Sequence, residues 1–200
     1  EPFLREIAGA HARGRRLYIA TADLDSQRFV VWNMGLIAGS GQPESLELFR
    51  KVMLASASIP IAFPPVFFEV EAGGRRYDEM HVDGAVGATV FLNGAVFRPS
   101  LIRERAGRGA GREEIFVIHN GQLREPPSPT PRTLRGIAMR VIEASGRAGL
   151  VGDLIRIYAF AQREQASFHW VTIAEGVELA GPETFDPVKM AELYEVGRKA

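Results

Sequence analysis

Hydrophobic spacing in the first third of the chain predicts a helix, two short strands and a second helix. Apolar residues recur at helical intervals from Glu1 to Arg13, and a glycine follows that can end the helix. Leu17–Ala22 and Arg28–Asn33 are extended runs joined by an Asp-rich turn, which predicts two strands. A second helical stripe, formed by Leu46, Phe49, Val52 and Met53, follows a glycine-flanked linker.

The second helix leads into an unusual segment, Leu54–Val66, in which small residues give way to three prolines. Prolines cannot continue a helix, so the helix is predicted to end there and a strand to open at Val66. Gly73 and Gly74 accept positive φ and predict a tight hairpin turn. The returning strand then carries Asp83 to a second turn at its end, which Gly84 lets the backbone leave freely.

The second half of the chain alternates between strand and helix patterns. Glu114–His119 is almost continuously apolar, as expected of a buried parallel strand. A Pro-rich connector then predicts one helix capped by Thr130 with Pro131 at its first position, and a second helix from about Asp153. A strand over Ser167–Ala174 and a final helix opened by Asp186 and Pro187 complete the pattern, which predicts an α/β sandwich around a mostly parallel sheet.

Composition narrows the function classes. The chain has 200 residues, 46% of them hydrophobic, and 24 acidic side chains balance 24 basic ones. A net charge of zero provides no overall field that would attract nucleic acid, so no nucleic-acid partner is expected. The absence of cysteine excludes disulfides and cysteine-ligated zinc, and no His-Glu-x-x-His motif is present, so neither metal nor cofactor is expected.

Two segments together resemble the patatin-like phospholipase family. They are the run Ala-Ser-Ala-Ser-Ile-Pro-Ile-Ala-Phe-Pro-Pro at residues 55–65 and the turn Asp83-Gly84-Ala85. The resemblance implies a three-layer α/β/α sandwich, with residues 1–200 as the C-terminal part of a single catalytic domain. It also implies that Asp83 is the general base of a Ser-Asp dyad, supported by Gly84 and Ala85. The family's Asn-x-Pro after the turn is replaced here by Val86-Gly-Ala.

The nucleophile of such a dyad lies in a Gly-x-Ser-x-Gly elbow, and this chain contains none. Ser40 and Ser145 come closest, but Ala38 and Glu143 stand where the first glycine belongs. The serine and its oxyanion-binding glycines are therefore expected on a segment preceding Glu1, and the 200-residue chain alone is expected to be inactive. The resemblance implies a lipid acyl hydrolase, phospholipase A-like or a carboxylesterase, similar to bacterial members of the family.

The implied partner is a phospholipid or another acyl lipid, and the implied protein is soluble or associated peripherally with a membrane. Two alternatives stay open: a non-catalytic protein that holds lipid in the cleft, and an α/β scaffold whose Asp-Gly turn is fortuitous.

Several other polar residues invite a chemical interpretation. Asp23 and Asp25 in a turn are expected to accept backbone N–H bonds. Ser56 and Ser58 are expected to be small for close packing, and His119 to be a hydrogen-bonded structural residue. The basic loop Arg98–Arg112 is expected to be solvated, with contact to phosphate head groups as the alternative.

Overall fold

The computed structural model describes residues 2–92, 113–124, 127–177 and 186–199. The chain divides into two compact units. Unit 1 consists of Glu1–Phe91 and Thr130–Leu154, and unit 2 consists of Leu92–Pro129 and Ile155–Ala200.

Unit 1 is built on a four-stranded antiparallel sheet with the order β2-β1-β4-β3. Its helices are α1 (Pro2–Ala12), α2 (Met34–Gly39) and α3 (Ser45–Ser56), and its strands are β1 (Tyr18–Asp23), β2 (Arg28–Asn33), β3 (Val66–Ala72) and β4 (Arg75–Asp83). The strand patterns therefore predicted β1 to β4 correctly, whereas α2 was missed because it is only six residues long and its last residue, Gly39, was read as the start of a glycine-flanked linker.

One face of this sheet carries the core of unit 1. Met34, Phe49 and Val52 from the helices pack with Val66 and Phe68 from β3, and all five are buried. Of the predicted apolar stripe of α3, Phe49 and Val52 lie in this cluster and Leu46 packs against it, whereas Met53 is 49% exposed. Residues paired across an antiparallel ladder share a face, so the residues opposite Val66 and Phe68 on β4 also lie on the core side.

The β3–β4 hairpin turns at Gly73 and Gly74, whose φ angles are +59° and +73°. Two successive positive φ angles are typical of the turn that matches the twist of the flanking strands, so glycine is favoured at both positions. The predicted hairpin is confirmed. It brings β4 back alongside β1, where Thr21 is paired with Asp83 and Asp23 with His81.

After β4 the chain makes a short 3₁₀ turn, Gly84–Val86. Unit 1 also contains the first part of the long helix α4 (Leu134–Arg163), as far as Leu154, and the rest of this helix belongs to unit 2. The Asp153 carboxylate accepts hydrogen bonds from the backbone N–H groups of Thr89 and Val90, at 2.9 and 3.3 Å. The Thr89 hydroxyl donates to the carbonyl of Gly146 at 2.9 Å. These bonds fix the segment after Asp83 against the helix.

Unit 2 contains a two-stranded parallel sheet formed by β5 (Glu114–His119) and β6 (Ser167–Thr172), with α5 (Pro187–Lys199) as its last helix. The carboxylate of Asp186 accepts a hydrogen bond from the backbone of Lys189 at 2.8 Å, which confirms the predicted start of α5. The buried apolar side chains described in unit 2 are Ile115, Val117, Ile157, Phe160, Ala161 and Ala166.

The fold class is mixed α/β as predicted, but the mostly parallel three-layer sandwich is wrong for the described residues, since the larger sheet is antiparallel. The strand Glu114–His119 is not buried on both faces, because Phe116 and Ile118 are 65% and 76% exposed. The two helices predicted after the Pro-rich connector are one helix, which begins at Leu134 and not at Pro131. Its glycines at 146 and 149 weaken a helix without ending it.

None of the helices in the described ranges combines the length and apolarity that a membrane crossing requires.

Candidate functional site

Asp83 ends β4 and caps the 3₁₀ turn that follows. Its carboxylate Oδ1 accepts a hydrogen bond from the backbone N–H of Ala85 at 2.8 Å. Oδ2 accepts none from the part of the chain that the structure describes, and the side chain is half-buried. One carboxylate oxygen is thus used to hold the turn, and the other is available for chemistry.

Gly84 is the place where this turn touches β1. A Cβ at this position would lie 2.7 Å from the carbonyl oxygen of Ala20, which is closer than side-chain atoms approach a backbone oxygen. The glycine is therefore required by close packing, and its backbone lies in the ordinary negative φ region. Ala85 supplies the N–H group that Asp83 binds, and its side chain is exposed.

A backbone hydrogen bond joins the two segments that carry the family resemblance. The N–H group of Asp83 donates to the carbonyl of Ser58 at 3.0 Å. Ser58 is 2% exposed, and its hydroxyl donates to the carbonyl of Leu54 at 2.8 Å. Its hydroxyl is thus occupied at the end of α3, in agreement with the predicted packing role for a small residue.

Next to Asp83, a chain of hydrogen bonds crosses the core face of the sheet. The indole Nε1 of Trp32 donates to Thr21 Oγ1 at 2.8 Å, and Thr21 Oγ1 lies 2.8 Å from Nδ1 of His81. Thr21 and His81 are completely buried. Because an indole can only donate, the Thr21 hydroxyl accepts from Trp32 and is free to donate its own hydrogen to His81 Nδ1.

That assignment places the hydrogen of a neutral His81 on Nε2. Nε2 lies 3.4 Å from a carboxylate oxygen of Glu79, whose side chain is 38% exposed. The His81 ring also makes an edge contact with Phe68, with centroids 4.7 Å apart, and Phe68 stacks on Trp32. Aromatic rings therefore fix the imidazole from the core, and hydrogen bonds fix it within the plane of its ring.

Asp23, Glu79 and His81 are the described residues that could together hold a metal ion, since one ligand atom from each lies within 4.8 Å of the others. A metal would need the lone pair of His81 Nε2. If a metal bound the Nε2 lone pair, the hydrogen of the neutral ring would have to be on Nδ1, and the buried Thr21 hydroxyl would lose its acceptor. The donor set therefore fits a hydrogen-bonded network better than a metal site.

Asp23 acts as the turn residue that its position predicted. Its Oδ1 accepts from the backbone N–H groups of Asp25 and Ser26, and its Oδ2 binds the Ser26 hydroxyl. Burial alone would raise the pKa of the Asp23 carboxyl, but these hydrogen bonds and the attraction of His81 together lower that pKa below its ordinary value. Asp25 likewise accepts a backbone bond, from Met80 N–H at 2.7 Å.

The other candidates from the sequence have simple positions. His119 Nδ1 lies 3.3 Å from the hydroxyl of Thr172, which supports the predicted structural role. Two adjacent aromatic residues in β3 differ in position, since Phe67 is 44% exposed and Phe68 is in the core. The basic loop Arg98–Arg112 falls outside the described residues.

Sequence patterns did not reveal the Trp32–Thr21–His81 network. Thr21 and His81 are 60 residues apart; Thr21 stands in a largely apolar strand, and His81 is one of several polar residues in β4. The available signal was the period of two in β4, which places His81 on the same face as Asp83. Only the pairing of β1 with β4 brings Thr21 to them.

Comparison of the chain with models of known protein families and with curated proteins gives no match.

Proposed function

We propose that the full gene product is a lipid acyl hydrolase in which Asp83 acts as the general base toward a serine carried on a segment preceding Glu1. The serine hydroxyl would attack the ester carbonyl while Asp83 takes up its proton, and the ester C–O bond would then break as Asp83 returns the proton to the departing alcohol. Water, deprotonated by Asp83, would next attack the acyl-enzyme, releasing the fatty acid and restoring the serine hydroxyl. The substrate class is an acyl ester of a phospholipid or related lipid.

The observation that carries this proposal is the hydrogen bond from Asp83 N–H to the Ser58 carbonyl. The bond joins the Ala-Ser-rich segment to the Asp-Gly-Ala turn across 25 positions of the sequence. It is the combination of these two segments that resembles the patatin-like family. Because the two segments are hydrogen-bonded to each other, they form one structural feature, which argues against a fortuitous Asp-Gly turn. The free Oδ2 of Asp83 provides the acceptor that a general base needs.

Exposed apolar side chains beside this feature support a lipid partner. The loop between α3 and β3 contains Ile59, Ile61 and Phe63, which are 41%, 41% and 51% exposed, and no charged residue occurs from Val52 to Val66. Ile61 holds a φ of +71°, a strained conformation for a β-branched residue. The exposed apolar side chains also favour a second candidate function, the binding of lipid without hydrolysis.

Asp83→Asn in the full gene product tests the proposal. Asparagine keeps an oxygen that can accept the Ala85 N–H bond, so the turn should persist, but it cannot take up a proton. We expect hydrolysis of a short-chain p-nitrophenyl ester and of phosphatidylcholine to fall about 10²- to 10⁴-fold. Asp78→Asn removes an exposed carboxylate from the same strand and should leave both rates unchanged.

Near-normal hydrolysis by the Asp83→Asn variant would overturn the role of Asp83. A wild-type protein that binds phosphatidylcholine vesicles but releases no fatty acid would instead establish the lipid-binding alternative.

A further inference from the structure

A pocket of about 280 Å³ lies in unit 1 between the end of α1, the start of β1 and α2. Its lining includes His11, Arg15, Arg16 and Gly35, together with apolar residues, and no acidic side chain among the described residues lines it. Its volume corresponds to the share of several water molecules, which is ample for a phosphate group. The chain as a whole is neutral, so this local excess of positive charge is a property of the pocket.

The guanidinium of Arg16 is held in place by the end of the helix. Its Nη1 donates to the carbonyls of His11 and Arg15, at 2.8 and 2.9 Å. Its Nε and Nη2 make no hydrogen bond within the described ranges, and neither Arg15 nor Arg16 has a carboxylate partner there. An arginine fixed through one nitrogen keeps a planar pair of donors for a bidentate anion at little entropic cost.

His11 forms part of the wall of this pocket. Its Nδ1 is buried and has no hydrogen-bond partner among the residues that the structure describes. A Cβ at Gly35 would lie 2.1 Å from this nitrogen, so the ring occupies space that glycine alone leaves open. A buried polar atom without a partner is uncommon in native proteins. Because Nδ1 is closed to solvent and lies against Gly35, the other atoms of the ring line the pocket, and the two arginines supply the donors for a ligand.

We propose that this pocket binds an anionic phosphate group, held by Arg15 and Arg16 with the His11 imidazole beside them. The phosphate is either that of a lipid head group or that of a soluble phosphorylated molecule, since both present the same tetrahedral oxygens. The site is separate from Asp83 and does not depend on the function proposed above.

Two titrations of the full gene product test this site. Isothermal calorimetry with inorganic phosphate measures the soluble form of the ligand. Flotation with phosphatidylcholine vesicles, with and without phosphatidic acid, measures the lipid form. We expect the double variant Arg15→Gln/Arg16→Gln to weaken phosphate binding at least about tenfold, the effect of losing a charge-assisted hydrogen bond.

The control removes the same charge elsewhere. Arg75→Gln/Arg76→Gln lies on the exposed β3–β4 hairpin and should leave binding unchanged. Arg15→Gln alone keeps the Arg16 bonds at the end of α1, so a weaker affinity at an unchanged unfolding midpoint separates binding from folding.

Binding of phosphatidic acid vesicles that the pocket variants abolish would identify a lipid head group, and phosphate binding without vesicle binding would identify a soluble ligand. The proposal is overturned if wild type binds neither probe, or if both double variants lose binding equally. Asp83→Asn should bind phosphate normally, so failure of the hydrolase mechanism leaves this result unaffected.

Discussion

At the scale of single residues, the Thr21 hydroxyl is important because two other side chains, Trp32 and His81, depend on it for a hydrogen bond. It is buried, accepts from Trp32 Nε1 and bonds His81 Nδ1. Thr21→Val keeps the shape but leaves two buried polar groups without partners, at about 1–3 kcal/mol each. We expect the free energy of unfolding in urea to fall by about 2 kcal/mol or more.

Thr21→Ser is the matched control, because it keeps the hydroxyl and loses one methyl group. It should retain most of the stability that Thr21→Val loses. Equal losses in the two variants would show that packing, and not the hydrogen-bond chain, makes Thr21 important.

Asp23 gives the chain a stability term that depends on pH. Its carboxyl has a lowered pKa in the folded state, so the charged form favours folding. This contribution is complete above the unfolded pKa of about 4 and is lost as the pH falls through that value toward the lower folded one. The free energy of unfolding in urea should therefore fall between neutral pH and about pH 3, and it should fall less in the Asp23→Asn variant. An equal decrease with pH in the two proteins would contradict this prediction.

The sequence predicted the residues of this site that belong to one segment and missed those that long-range pairing assembles. Asp83, Gly84 and Ala85 follow one another, and their turn is where the pattern placed it. Thr21, Trp32 and His81 meet only because β1 lies between β2 and β4. Strand order depends on the whole set of contacts, so no local pattern specifies it.

At the scale of elements, the junction of β4 with β1 depends on Gly84. Gly84→Ala would bring a methyl group to 2.7 Å from the Ala20 carbonyl and push the two strands apart. Overpacking of this kind costs about 1–3 kcal/mol. We expect a lower denaturation midpoint and, if the hydrolase proposal holds, a loss of activity from displacement of Asp83.

Gly149→Ala gives the contrasting case on α4. Nothing lies within 4 Å of a Cβ at this exposed helical position. Alanine should raise stability by up to about 1 kcal/mol, because glycine is the poorer helix former. If Gly84→Ala is as stable as Gly149→Ala, the close approach of Gly84 to β1 is not a constraint.

At the scale of the whole molecule, the sequence predicted most strands and helices but not how the strands pair. β5 was predicted to be a parallel strand buried on both faces because its four central residues are all apolar. In the structure its side chains alternate between buried Ile115 and Val117 and exposed Phe116 and Ile118. An apolar run fits either a central strand or a strand covered on one face, and only the neighbouring elements decide between them.

The two units should differ in local stability. Unit 1 buries Met34, Phe49, Val52 and Phe68 in one cluster, whereas unit 2 rests on a two-stranded sheet, an arrangement that is marginal without further packing. Hydrogen exchange followed by mass spectrometry should show faster exchange in β5 and β6 than in β1 and β4. Thr21→Val should accelerate exchange in β1 and β4 and leave β6 unchanged. Equal protection of both sheets, or equal acceleration in both, would mean that the units unfold as one cooperative structure.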